Sequence, residues 1–108
     1  MVVIEIKQYR TLPSIRFSLR ANGITLDLTN KVLNFVLGRK DTGEVLIRRS
    51  CTVVGSPKEG RCDFHWLPGD TDFSELNLDA ELELVLSDGR TQTISEMKVN
   101  ITPSLGGG

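Results

Sequence analysis

Apolar and polar residues alternate along most of the chain, which is the period of a half-buried β-strand. The run SIRFSLR at 14–20 places three large apolar side chains on one face and two arginines on the other. The same alternation recurs at 4–7, 24–28, 33–37, 82–86 and 97–101. Runs rich in turn-forming residues separate these segments: ANG at 21–23, DTG at 41–43, GSPKEG at 55–60 and DG at 88–89. Seven or eight strands at roughly ten-residue intervals predict an all-β fold, an immunoglobulin-like antiparallel β-sandwich.

Two segments depart from simple alternation. The run EVLIRRSCTVV at 44–54 is long enough for one bent strand or two short strands, and we expect the bend at 48–50. Residues 67–79 are predicted to be the longest irregular segment, with a single short helical turn in FSELNLDAEL because its apolar residues have helical spacing.

The chain has 108 residues, which suits one domain over 1–102 followed by a flexible glycine-rich tail over 103–108. Its composition is that of a globular protein, with 39% hydrophobic and 25% charged residues. A net charge of −1 argues against a nucleic-acid partner, which would need a positive excess. No apolar run could cross a membrane, and early charges such as Glu5 and Lys7 do not suit a signal peptide, so we expect folding in the cytoplasm.

The run DFHWLPGDTD at 63–72 contains the only Trp, the only His and three Asp residues. A catalytic interpretation uses His65 as general base, oriented by Asp63 or Asp70. The strand period instead directs His65 towards solvent beside Asp63, opposite Phe64 and Trp66. No serine has a recognisable nucleophile context, so we expect no enzymatic activity and no cofactor.

A structural interpretation of the same run accounts for more of its residues. Trp66 is a large apolar side chain at a strand end, and Pro68 ends the hydrogen-bonded ladder because it has no N–H. Gly69 allows a turn, in which Asp70 is expected to hydrogen-bond the backbone two residues on. The run is therefore predicted to be a corner that terminates a strand.

Metal sites are disfavoured by the available ligands. Asp70, Asp72 and Glu75 provide hard oxygens for calcium, but the run lacks the glycine and the spacing of an EF-hand loop, so a solvated acidic loop is preferred. Cys51 and Cys62 are the only cysteines, too few for structural zinc with a single histidine. We expect no metal.

Cys51 and Cys62 flank the turn at 55–60. A hairpin centred near residues 56–57 places them directly opposite one another, where either a disulfide or two facing thiols could form. A reducing cytoplasm favours two free thiols.

The basic residues are dispersed and no aromatic residues interleave with them, so they are predicted to occupy the polar outer faces of strands. They are Arg16, Arg20, Arg39, Lys40, Arg48, Arg49 and Arg61. The adjacent pair Arg48-Arg49 could alternatively contact an acidic protein partner.

The order of several motifs resembles that of small β-sandwich modules in tailed bacteriophage virions. GITLDLTNKVLNFVL at 23–37 resembles their G-x-x-x-D-L-T-G-A-x-V-x-F opening, and W-x-P-G-D-T at 66–71, an acidic alternating strand at 80–86 and DGRTQT at 88–93 follow in the same order. The chain is similar over residues 4–101 to the N-terminal domain of the phage upper baseplate protein. It departs from the pattern at Asn30-Lys31 (usually Gly-Ala), at Tyr9-Arg10-Thr11 (usually Gly-Asp-Thr), and in lacking a late Tyr whose space Leu78 or Leu82 would fill.

The resemblance implies a non-enzymatic structural protein located in the virion, such as a head decoration protein that binds the capsid lattice. The alternative within this class is a tail or baseplate component that mounts other tail proteins. The expected partners are the major capsid protein or a tail or baseplate protein, with a homo-oligomer also open. Attachment is expected at sheet edges formed by Met1–Tyr9 and by 91–102.

A carbohydrate- or cell-surface-binding module is the remaining alternative. It is weaker because aromatic residues make up only 6% of the chain, and Trp66 is assigned to the core.

Overall fold

The computed structural model describes residues 2–105, and in this part of the chain nearly all regular structure is β-strand. The strands are β1 (Val2–Lys7), β2 (Ile15–Ser18), β3 (Arg20–Ala21), β4 (Ile24–Thr25), β5 (Val32–Arg39), β6 (Glu44–Ser50), β7 (Thr52–Val53), β8 (Arg61–Phe64), β9 (Glu75–Val85) and β10 (Thr91–Thr102). A 3-10 turn at Pro57–Glu59 separates β7 from β8. The all-β prediction is confirmed. Of the predicted flexible tail, Leu105 is exposed and residues 106–108 lie outside the described residues.

The strands form a five-stranded sheet in the order β1-β10-β9-β5-β6, a three-stranded sheet in the order β2-β8-β7, and the hairpin β3-β4. The hairpin turns at Asn22-Gly23, where both φ angles are positive, as the Asn-Gly signal predicts. β1 runs parallel to β10, with Val2 opposite Met97 and Lys7 opposite Thr102. The prediction of a wholly antiparallel arrangement is therefore wrong at this pair. The two strands come from opposite ends of the sequence, so no hairpin sets their relative direction.

Side chains from both large sheets meet in one core. The alternation of β5 buries Leu33, Phe35 and Leu37, as predicted, and Phe35 stacks on Phe64 of the other sheet with ring centroids 4.3 Å apart. β10 buries Met97, Val99 and Ile101 in the same way, and Leu78 and Leu82 of β9 are both buried. Two sheets sharing a core are compatible with a β-sandwich. The immunoglobulin-like arrangement and the number of strands in it stay predictions.

The chain passes from one sheet to the other at Cys51. The Cys51 N–H still donates to the Leu33 carbonyl of the five-stranded sheet, at 2.7 Å, whereas Thr52 pairs with Asp63 of the three-stranded sheet. The segment 44–54 thus forms two strands, one of the two predicted forms. The break follows the two arginines, which lie inside β6, because residue 51 is where the backbone exchanges partners.

Two sequence predictions about the late strands differ from the structure, the first entirely and the second in part. The segment from Glu75 onward is a β-strand and not a helical turn. Opposite Asn100 the register shifts because β9 contains one extra residue, and this bulge leaves Leu76 exposed. The Asn77 N–H donates to the Asn100 side-chain oxygen at this bulge, at 2.7 Å. The strand at 91–102 is a sheet edge only in its first half, because β1 covers residues 97–102 and no described strand pairs with 91–96 on the side away from β9. β1, within the predicted edge Met1–Tyr9, is an edge, although Met1 itself lies outside the described residues.

Gly60 joins the hairpin β3-β4 to the three-stranded sheet. Its carbonyl accepts a hydrogen bond from the Leu19 N–H at 2.8 Å, and its φ is 69°. A Cβ at this position would lie 2.8 Å from the Leu19 carbonyl oxygen and 2.9 Å from that of Leu26. Both atoms belong to the backbone, and the Leu19 carbonyl also accepts the Leu26 N–H at 3.0 Å, so moving them apart would be costly.

Gly60→Ala is therefore expected to lower the free energy of unfolding by about 2–4 kcal/mol, from positive-φ strain together with overpacking. The matched control is Gly43→Ala, where φ is 74° but no heavy atom lies within 4 Å of an added Cβ. At Gly43 an added Cβ therefore costs only the strain of a positive φ, about 1–2 kcal/mol of unfolding free energy. Urea unfolding followed by circular dichroism measures both variants, and equal losses would contradict the close approach at Gly60.

Candidate functional site

The corner at 63–72 directs its side chains as the strand period predicts. Phe64 and Trp66 face the core, and Trp66 is only 3% exposed. Its ring meets those of Phe35 and Phe64 edge-on, with centroids 6.0 and 5.0 Å away. His65 points outward and is exposed. The most distinctive aromatic residue of the sequence is thus part of the core, which leaves its indole face no access to a soluble ligand.

Asp70 is held by an arginine of the opposite sheet. The Arg49 Nη1 and Nη2 atoms donate to the two Asp70 carboxylate oxygens at 2.7 and 3.0 Å. Asp70 also accepts the Leu67 N–H at 2.7 Å, and the guanidinium carbon lies 5.6 Å from the centroid of the Phe64 ring. This arrangement, called here the Arg49–Asp70 clamp, fastens the β8–β9 connection to the edge strand β6.

The hydrogen bonding of Asp70 in this turn differs from the prediction. Asp70 was predicted to bond the backbone two residues on, but it bonds the backbone three residues earlier, because the guanidinium draws its carboxylate towards β6. Burial alone would raise the pKa of Asp70, but the hydrogen bonds from Arg49 and from the Leu67 N–H outweigh burial and hold it below its ordinary value. Asp70 is therefore ionised near neutral pH and fully engaged.

Asp63 is also committed to an arginine. Arg16 lies directly opposite it in the β2–β8 pair, and its Nε and Nη2 atoms donate to the two carboxylate oxygens at 2.8 and 2.9 Å. This bidentate contact holds the pKa of Asp63 below its ordinary value. Asp63 is only 8% exposed, so the predicted solvent-exposed pair of His65 and Asp63 is wrong. The cause is the long Arg16 side chain, which covers the carboxylate.

His65 instead meets Ser14, a contact that sequence reasoning missed. The Ser14 Oγ and His65 Nδ1 atoms are 2.9 Å apart, joining the residues that adjoin the ends of β2 and β8. The antiparallel β2–β8 register, in which Ile15 faces Phe64, is the signal that would have found it. A serine bonded to a histidine is the first half of a nucleophile–base arrangement. Both carboxylates considered for orienting His65 are held by arginines, so the arrangement is not extended to a triad.

The carboxylates of the acidic loop do not converge to form a metal site in the part of the chain that the structure describes. Asp70 is bound by Arg49, and Glu75 receives the Arg39 guanidinium, with Nε at 2.7 Å from one oxygen. Across residues 2–105, no group of three or more His, Cys, Asp or Glu side chains is placed to hold a metal ion. Two of the three carboxylates proposed for calcium thus neutralise arginines instead.

Both cysteines are free thiols, as predicted, but their register differs from the prediction. Val53 lies opposite Cys62, so Cys51 is displaced by two positions from direct opposition. The 3-10 turn moves the centre of the hairpin one residue later than expected. Contact with the Cys62 sulfur, and then burial, raises the pKa of the Cys51 thiol, so it remains protonated and is a poor nucleophile at neutral pH.

The predicted polar outer face of the five-stranded sheet is a network of opposite charges. Lys40 Nζ lies 3.2 Å from Glu96, and Arg48 Nη1 lies 3.8 Å from Glu83. Glu83 is buried beside Arg48 and Asn34. A shallow groove of about 170 Å³ crosses this face and is lined by residues of both signs. Such a surface suits contact with a polar protein surface better than capture of an ion of one sign.

Acid is expected to destabilise the protein through these carboxylates. The pKa values of Asp63 and Asp70 lie below their ordinary value of 3.8, so the unfolded chain binds more protons than the folded chain in acid. Their contribution is complete above the unfolded pKa and is lost as pH falls through the folded pKa. Urea unfolding at pH 6 and at about pH 3 should show the loss, and Asp63→Asn should show a smaller pH dependence than the control Asp72→Asn. An unfolding free energy that does not change over this interval would contradict the ion-pair assignments.

No model of a known protein family matches the chain, and no curated protein is similar to it at a significant level. The resemblance to phage modules thus stays a prediction drawn from the motifs. Across residues 2–105 the structure has no helix with the length and apolar character needed to cross a bilayer.

Proposed function

We propose that the chain is a non-enzymatic structural protein of a tailed bacteriophage particle, with an immunoglobulin-like sandwich fold, and that it is a head decoration protein binding the capsid lattice. The observation that carries the proposal is the ordered set of motifs between residues 23 and 93, which resembles virion β-sandwich modules. The W-x-P-G-D-T motif has a structural role in this chain, because Trp66 fills the core and Asp70 forms the clamp with Arg49.

The ion pairs formed by the carboxylates of the corner support a non-enzymatic role. General acid–base catalysis needs a carboxylate or imidazole that is free to exchange a proton with a substrate. Asp63 and Asp70 are each locked in bidentate contact with an arginine, and His65 lies on an exposed face rather than in a deep cleft. The carbohydrate-binding alternative is weakened in the same way, since Trp66 offers no exposed ring.

One end of the molecule has the character expected of an attachment surface. Leu12 precedes β2 and Leu67 follows β8, and because these strands pair, both residues extend from the same end of the three-stranded sheet. They are 74% and 48% exposed. Hydrogen bonds between Tyr9 and Thr71 and between Thr71 and Arg10 fasten the two loops together. We propose that this loop end contacts the lattice, where many weak contacts on a symmetric shell add up to stable attachment.

Quantitative mass spectrometry of purified particles tests the proposal. It applies to the phage or prophage that encodes the chain, and the chain should co-purify with intact particles. Hundreds of copies per particle indicate the head shell or tail tube, whereas about six to twelve indicate the baseplate alternative, in line with its rotational symmetry. Absence from intact particles would refute the virion role.

A further inference from the structure

The strand β1 is an open edge of the five-stranded sheet, and its charged side chains are its only protection against strand pairing. Its six residues pair with β10 without a bulge, and it contains no proline. Val2 and Val3 are 63% and 56% exposed. The opposite edge, β6, carries a bulge against β5 and arginines on both faces, and the edges of the small sheet are only four and two residues long. Edge strands are normally short, charged or bulged because their free backbone groups can recruit another strand.

The free backbone groups of β1 belong to alternate residues. The Gln8 N–H donates to the Thr102 carbonyl of β10 at 2.8 Å. Because the groups of successive residues in a strand point to opposite sides, those of Ile6 and Ile4 also point towards β10. The N–H and C=O groups of Val3, Glu5 and Lys7 therefore point outward from the sheet edge. The Lys7 carbonyl also accepts the Arg10 N–H at 3.2 Å, and its second lone pair is open to a further donor.

The charges of β1 differ from those of the rest of the sheet. Every charged side chain of β5, β6, β9 and β10 has an opposite charge within 4 Å: Arg39, Glu44, Arg48, Arg49, Glu75, Asp79, Glu81, Glu83, Glu96 and Lys98. Glu5 and Lys7 are exposed on the outer face, and among residues 2–105 neither has such a partner. The described part of the chain thus leaves Glu5 and Lys7, one acid and one base two residues apart, without ionic partners, on the strand whose outward backbone groups have no strand partner.

We propose that β1 pairs antiparallel with β1 of a second copy of this chain, about a two-fold axis through Ile6. This register places Glu5 of each copy directly opposite Lys7 of the other, so that the same residues exchange backbone hydrogen bonds and form ion pairs. An axis through Glu5 would bring two glutamates together, and one through Ile4 would face Glu5 with Val3. Only the axis through Ile6 satisfies both charges. The two five-stranded sheets then form one continuous sheet, and the interface is isologous.

Sedimentation analysis of the purified chain over a wide concentration range tests the pairing. The average mass should rise with concentration towards that of a dimer. Glu5→Lys and Lys7→Glu should each raise the dissociation constant about tenfold, because both ion pairs become repulsive contacts. In dilute samples, in which the wild type is monomeric, their melting temperatures should equal the wild-type value, because neither side chain has an internal ionic partner in the described part of the chain.

Two complementation experiments separate this register from a general charge effect. The double variant Glu5→Lys/Lys7→Glu should recover the wild-type dissociation constant. An equimolar mixture of the two single variants should also associate, because each base then faces an acid of the other chain. A wild-type chain that stays monomeric, or single variants that dimerise as well as wild type, would overturn the proposal. The inference goes beyond the virion role, since it concerns the purified chain alone and its failure leaves particle binding untouched.

Discussion

Trp66→Ala is expected to lower the free energy of unfolding by about 3–5 kcal/mol, the range for removal of a large buried aromatic side chain. The indole is 3% exposed and lies edge-on to Phe35 and Phe64, the two rings that stack across the sheets. Its removal opens a cavity between the sheets that rigid neighbouring strands cannot close. Since small domains have only about 5–15 kcal/mol in total, the variant should lose much of its stability.

The matched control is the adjacent outward residue. His65→Ala removes an exposed side chain and one hydrogen bond to Ser14, so its cost should be below about 1 kcal/mol. Urea unfolding followed by far-ultraviolet circular dichroism measures both variants without relying on tryptophan fluorescence. Similar losses for the two variants would show that the facing of this strand is assigned incorrectly.

Asp70→Ala is expected to lower the free energy of unfolding by about 2–4 kcal/mol, a loss similar to that expected for Gly60→Ala. The substitution leaves the Arg49 guanidinium without its counter-charge beside Phe64, and it leaves the Leu67 N–H without its acceptor. The control Asp72→Ala removes a carboxylate from the same loop, but one that is exposed. It should cost less than about 0.5 kcal/mol.

A double-mutant cycle with Arg49→Ala isolates the clamp itself. The double variant should be less destabilised than the sum of the two single variants, by about 1–3 kcal/mol, because the residues are in direct contact. Additive losses would mean that the two side chains act independently and that the corner is held by its packing alone.

Local patterns in the sequence predicted the inner faces of β5 and β10 correctly, but not that of 24–28, where Ile24 is exposed. In β5, strict alternation is enough to assign Leu33, Phe35 and Leu37 to the core, because each residue's facing depends only on its neighbours. The helical spacing read in FSELNLDAEL was misleading, because this segment is strand and a bulge in it adds a residue and exposes Leu76. The parallel pairing of β1 with β10 joins segments about ninety residues apart, and no local signal encodes its direction.

The site was less predictable than the fold, because its contacts join distant segments. The outward facing of His65 followed from the strand period, but the partners of Asp63 and Asp70 did not. Arg16 reaches Asp63 through the β2–β8 register, and Arg49 reaches Asp70 from the other sheet. Identifying either pair requires knowledge of how the sheets are arranged, which a single sequence does not supply.

These ion pairs connect the corner to the proposed role. A component of a particle must hold its surface in one shape through many simultaneous weak contacts, and fixed loops lose less entropy on binding than mobile ones. The clamp through Asp70 and the Thr71 hydrogen bonds hold the loop end that carries Leu12 and Leu67. The residues that resemble a catalytic group would thus serve to shape a binding surface.

The most direct test of this account is rebinding of the purified chain to particles made without its gene. Bound copies are counted by quantitative mass spectrometry after the particles are separated from free protein. Wild-type chain and the His65→Ala variant should both bind to the same saturating copy number, because the role requires a surface and no catalytic histidine. Failure of the wild-type chain to bind would contradict the central claim, whereas a loss of binding confined to His65→Ala would mean that this exposed side chain is part of the contact surface.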